Sequence, residues 1–174
     1  SSTSTFTNHA NFRNIVAGTK YGTVTIEGDT TNHHNIINKG RITLSSGNLN
    51  NYLNLTNDSL LILDGTTRLY KTSNLTNNRE VQIKKVFRNY GSITNNDSMI
   101  SLSSATIENY NSWINNNVGT IDTSSNITNK EDNATNSDGV ILTGIQGNIT
   151  NYGDYIHSQN TFNNLGLITN KSTG

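Results

Sequence analysis

A unit made of an apolar residue, any residue and an asparagine returns along this chain about every 20 residues. It reads Phe87-Arg88-Asn89, Ile107-Glu108-Asn109, Ile127-Thr128-Asn129, Ile149-Thr150-Asn151 and Ile168-Thr169-Asn170, with the asparagines 20, 20, 22 and 19 residues apart. The series extends back to Leu49-Asn50-Asn51 and, more loosely, to Leu69-Tyr70-Lys71. A second set comprises Leu55-Thr56-Asn57, Leu75-Thr76-Asn77, Ile93-Thr94-Asn95 and Ala134-Thr135-Asn136, with Ile114-Asn115-Asn116 between the last two. A third apolar series runs Ile42, Ile62, Ile83, Ile100, Ile121, Ile141, Phe162. A fixed period of this length marks a chain that builds its core by stacking equivalent turns.

The pattern predicts an all-β fold, a single-stranded β-solenoid (parallel β-helix) with three short strands per coil of roughly 20 residues. Strands on neighbouring coils lie about 4.8 Å apart, so residues 15–174 would form about eight coils, roughly 38 Å tall. Leu49, Leu69, Phe87, Ile107, Ile127, Ile149 and Ile168 would stack as a core ladder. Asn51, Asn57, Asn77, Asn89, Asn95, Asn109, Asn129, Asn151 and Asn170 would hold the corners, where asparagine tolerates tight turns and can form amide ladders. Residues 1–14 match no repeat and read as an N-terminal arm or linker.

Composition leaves room for two other readings. Asn, Thr and Ser occur 32, 25 and 18 times among 174 residues, and only 31% of the chain is apolar. Such a chain could be disordered, but disorder needs no period. A β-sandwich would need no equivalent residues at a fixed offset. The absence of proline favours stacking, because a strand paired on both sides has no place for a missing N–H. Twelve basic residues balance twelve acidic ones, which removes the electrostatic signature of a nucleic-acid binder. Without cysteine there is no disulfide or zinc-thiolate chemistry. No apolar run is long enough to cross a bilayer. The chain begins at Ser1 and its one methionine is Met99, so it is expected to be processed or part of something longer.

Catalysis finds no foothold in the pattern. Glu108, Asp122 and Asp154 do not pair in register as a glycosidase would need. His33 and His34 are adjacent and would point to opposite faces of a strand, while His9 and His157 stand alone. No enzyme activity, metal or cofactor is expected. Tyr52, Tyr90, Tyr110 and Tyr152 each follow a corner asparagine of the first series. They predict either a surface aromatic strip for sugars or rings stacked to shield the corner. Thr56, Thr76, Thr94 and Thr135 form a file beside the second corner, broken at position 115. Residues 79–88 hold four basic residues on a strand whose apolar spacing is kept, which reads as a solvated outer face. Eight Asn-x-Ser/Thr sequons, at Asn54, Asn57, Asn74, Asn96, Asn126, Asn133, Asn148 and Asn170, are candidate glycosylation sites, in a number that composition alone would produce.

The repeated Ile-Thr-Asn units, together with Asn89-Tyr90-Gly91, Asn151-Tyr152-Gly153 and related Asn-x-Gly corners, resemble the β-helices of filamentous-haemagglutinin-like proteins and autotransporter passengers. That resemblance covers residues 36–174 in pattern and implies a secreted, extracellular structural protein, a subunit of a surface filament or adhesin. An exposed coil at each end of a solenoid templates further pairing. The expected partners are therefore copies of the chain, stacked head to tail, with surface glycans as a further class and no nucleic acid or membrane insertion. A carbohydrate-binding adhesin and a virion or tail-fibre module are the alternatives, ahead of an ice-binding protein or a polysaccharide-degrading enzyme.

Overall fold

The computed structural model describes residues 5–10, 12–14, 16–17 and 20–116, and beyond these the strands 120–123, 126–129, 148–151, 154–157, 162–164 and 167–170. Every described element is a β-strand. The strands wind as a β-solenoid whose three faces repeat in the same order in each coil.

The first face stacks Thr23–Glu27, the first half of Arg41–Asn51, the first half of Leu60–Leu69, Glu80–Ile83, Ser98–Ser101, Thr120–Thr123 and Asp154–His157. The second stacks Thr5–Asn8, Asp29–Asn32, the latter halves of Arg41–Asn51 and Leu60–Leu69, Val86–Asn89, Thr106–Asn109, Asn126–Asn129 and Phe162–Asn164. The third stacks Phe12–Asn14, Ile36–Asn38, Asn54–Asn57, Asn74–Asn77, Ser92–Asn95, Ser112–Asn115, Asn148–Asn151 and Leu167–Asn170. All these pairs are parallel, and one antiparallel pair, Val16–Ala17 with Lys20–Tyr21, stands apart. Five coils, Thr23 to Asn115, are described without a break, and paired strands continue the stack at either end.

Each face contributes alternate residues to a narrow core. Ile42, Leu61, Val81 and Met99 make one rung file of the first face, and Leu44, Leu63 and Ile83 another. The second face adds Leu49, Phe87 and Ile107, and the third adds Ile36, Leu55, Leu75, Ile93 and Trp113. The third apolar series of the sequence therefore mixes files: Ile42 stacks on Leu61, while Ile62 faces Gln82 and Thr43. Phe162 belongs to the second face, and Ile141 lies outside the described residues.

The core ladder is also divided between faces. Leu49 stacks on Thr67, and Thr67 on Phe87, so the column runs Leu49, Thr67, Phe87, Ile107, Ile127 on the second face. Leu69 sits two residues further on, in line with Asn51 and Asn89. Ile149 and Ile168 are third-face residues above Trp113. The cause is the chain between Asn129 and Asn148. Those 18 intervening residues separate the second- and third-face strands of one coil, so the near-20 spacing from Asn129 to Asn151 jumps a face.

Within the span 1–14, residues 5–8 and 12–14 belong to the stack. Thr5–Asn8 and Phe12–Asn14 are the lowest described rungs of two faces, and Asn8 and Asn14 donate to Asn32 and Asn38 at 2.7 and 3.0 Å. Phe6-Thr7-Asn8 and Phe12-Arg13-Asn14 are themselves units of an apolar residue, any residue and an asparagine, so these segments do match the repeat.

Candidate functional site

Two asparagine ladders run inside the solenoid, at the end of each second-face and each third-face strand. Asn32, Asn38, Asn51, Asn57, Asn77, Asn89, Asn95, Asn109 and Asn115 are all 0% exposed. Burying a carboxamide is tolerable only when its two N–H groups and its oxygen find partners. Asn57 finds them: its Nδ2 donates to Asn77 Oδ1 and Glu80 O at 2.8 Å and to Ser59 O at 2.9 Å, and its Oδ1 accepts from Asn38 at 2.8 Å. The carbonyls it grips, Ser59 O and Glu80 O, stand where the chain enters the first-face strands of two successive coils, so Asn57 ties its coil to the one above.

These ladders have a direction. The bonds Asn14 to Asn38, Asn38 to Asn57, Asn57 to Asn77, Asn77 to Asn95 and Asn95 to Asn115 all run from an Nδ2 toward the C-terminal coil, as do Asn8 to Asn32, Asn32 to Asn51 and Asn89 to Asn109. Backbone partners fix the orientation of the amides independently, since Nδ2 of Asn77 donates to Ser98 O at 2.8 Å while its Oδ1 accepts from Arg79 N at 3.3 Å. Two ladders on the outside run the other way. Asn74 donates to Asn54 and Asn54 to Asn35, while at the next corner Asn116 donates to Asn96, Asn96 to Asn78 and Asn78 to Asp58.

Leu69 interrupts one inner ladder. It is fully buried in an asparagine slot, so Asn51 keeps its bond to Leu53 O at 2.7 Å but has no amide above it to donate to, and Asn89 Oδ1 is buried with no donor. Of the other corner residues, Asn129 continues the second-face ladder by register, whereas Asn151 and Asn170 lie on the third-face strands above Asn115.

The corner after the second face carries a column of six rings: His9, His33, Tyr52, Tyr70, Tyr90 and Tyr110. Successive ring centroids are 5.3, 4.9, 4.1, 6.5 and 4.7 Å apart. Sequence reading missed His9, His33 and Tyr70, although each directly follows a second-face strand. Tyr90 and Tyr110 are buried, at 7% and 1% exposure, so they shield the corner and offer no open strip. Burial, then a hydrogen bond with Tyr52, pushes the Tyr70 hydroxyl up to about 12. Burial and the neighbouring Glu108 carboxylate hold Tyr110 well above the ordinary tyrosine range. Tyr152 lies outside the described residues.

The outer side of the third face is regular. Thr56, Thr76 and Thr94 stack in register, preceded by Ile37 and followed by Ile114. Trp113, not Ile114, is the inward residue of its strand, so the file is interrupted by Ile114 and the ladder residue is Asn115, not Asn116. Thr135 lies outside the described residues. Between the threonines and the parallel Asn54 and Asn74 lies a trough of about 460 Å³.

Among the sequons, Asn54, Asn74 and Asn170 are exposed and Asn96 is half-buried. Asn57 is closed to glycosylation in the folded chain, because its amide is buried and fully bonded. Asn133 and the side chains of Asn126 and Asn148 lie outside the described residues. The basic run disperses into ion pairs: Arg88 Nε meets Glu108 at 2.8 Å one coil above, Arg79 meets Asp97 at 3.5 Å, and Lys84 meets Asp64 at 3.9 Å. No group of three acidic or histidine side chains that could hold a metal ion occurs among the described residues.

No family model, curated protein or solved structure matches the chain.

Proposed function

We propose that the chain is a structural β-solenoid module of an extracellular surface filament or adhesin, and that its copies stack head to tail. The observation that carries this reading is the common direction of the inner ladders. A stack whose inner amide-to-amide bonds all run upward presents acceptors at its lower end and donors at its upper end. Adding a second copy in the same sense continues the bonding, whereas two like ends oppose donor to donor or acceptor to acceptor. Balanced charge adds no repulsion to end-on contact. The filamentous-haemagglutinin and autotransporter resemblance of the Ile-Thr-Asn and Asn-x-Gly units supports secretion and a surface role.

Electron microscopy and sedimentation of the purified chain test the proposal. Unbranched rods that lengthen with concentration are expected, and a strictly monomeric species at high concentration would overturn it.

A further inference from the structure

We infer that the outer trough of the third face binds an extended, uncharged polysaccharide strand laid along the solenoid axis. This deepens the adhesin reading and does not depend on filament formation.

The trough lies between two files of side chains, Asn54 and Asn74 on one side and Ile37, Thr56, Thr76 and Thr94 on the other. It crosses successive coils, so its hydrogen-bonding groups return about every 4.8 Å, along a line that a linear polymer can follow. From Asn35 to Ile114 every outward residue of this face is uncharged, and the one charged outward residue on its described strands, Arg13, lies a rung below Ile37 at the end of the file. The other faces carry Arg41, Glu80, Arg88 and Glu108 at outward positions. A charged polymer would find no counter-charge along the threonine file itself, and a neutral one loses nothing by its absence.

The array is also held in place before any ligand arrives. Asn54 donates to Asn35 at 2.9 Å and accepts from Asn74 at 3.2 Å. A carboxamide has two donors and two lone pairs, so these bonds orient Asn54 while leaving it one donor and one lone pair for a ligand. Threonine is stiff at χ1, and its hydroxyl and methyl together suit a sugar ring, which presents hydroxyls on its rim and C–H groups on its face. Fixed side chains reduce the ordering cost of binding. A concave trough accommodates a strand, where a flat crystal face such as ice would meet the array only along its rims.

Affinity electrophoresis through gels containing a soluble neutral β-linked glucan, with a polyuronate gel as the charged control, tests the inference. The wild-type chain is expected to be retarded in the glucan gel alone. T56K/T76K should weaken retardation at least about tenfold, with circular dichroism and sedimentation unchanged. T56V/T76V keeps the shape of the face and should lose part of the affinity, while Thr43→Lys on the first face should lose none. Absence of retardation by glucan, equal retardation by polyuronate, or full binding by T56K/T76K would overturn the inference. So would inhibition of ice recrystallisation without glucan binding. Rod formation is read separately, so failure here and failure of the filament proposal remain distinct.

Discussion

Asn77 is held by donor bonds to Asn95 Oδ1, Ser98 O and Arg79 O and by an acceptor bond from Asn57. Replacing it with alanine deletes these buried bonds together and removes the acceptor of Arg79 N, and a buried group that loses its partner costs about 1–3 kcal/mol. Chemical denaturation of Asn77→Ala should show a loss of that size. Leu69 poses the converse case, because the slot it fills holds asparagine in the coils on either side. Leu69→Asn would receive a donor from Asn51 and supply one to Asn89. It should cost less than about 1 kcal/mol or stabilise the chain, whereas Leu75→Asn, in an apolar file, should cost about 3 kcal/mol or more. Equal losses at the two leucines would refute the ladder account. Tyr70 makes a pH prediction. Its folded value, about 12, lies above the ordinary tyrosine value of about 10, so the fold favours the protonated ring. The resulting stabilisation is present below pH of about 10 and lost as pH rises toward about 12. Denaturation midpoints should fall across that window, and the fall should shrink in Tyr70→Phe.

At the scale of one strand and one corner, the period was legible and the register was not. Side chains alternate along a strand, so a slip of one residue exchanges core for solvent. The run Asn115-Asn116-Asn117 permits such a slip, and the unit Ile114-Asn115-Asn116 looked as regular as the true rung Trp113-Ile114-Asn115. Thr67-Arg68-Leu69 hid its register differently, by placing a polar residue in the apolar slot and an apolar one in the asparagine slot. Face assignment failed where 18 residues between Asn129 and Asn148 imitated one coil. The aromatic column was only half visible, because histidine occupies its lowest two places. Corners between the first and second faces impose a sharper limit. Gly47 adopts φ 79°, and a Cβ on Gly65 would lie 2.1 Å from Gly47 O. The obstacle is backbone, which has no rotamer to yield. Gly65→Ala should therefore cost about 1–3 kcal/mol by thermal unfolding, with strand content retained below the transition.

The whole molecule behaves as a one-dimensional stack in which each coil touches its two neighbours, and stability is close to a sum of coil and interface contributions. Removing residues 58–77 takes out one coil's worth of chain and joins equivalent corners at Asn57 and Asn77. The shortened chain should still fold, with the same circular dichroism signature and a lower unfolding midpoint. A deletion of half that length should abolish folding, since it would bring unlike faces into line. The 20-residue deletion also removes Thr67 and Leu69, which would bring Asn51 directly beneath Asn89 and close the one break in that ladder among the described residues.

The opposed directions of the inner and outer ladders have an electrostatic consequence. Each carboxamide is a dipole, and an array of dipoles aligned along an axis adds up, as peptide groups do in a helix. Here the buried arrays point one way along the rod and the exposed arrays point the other, so their fields oppose. Coils can be added while the end-to-end potential contributed by the side chains stays small.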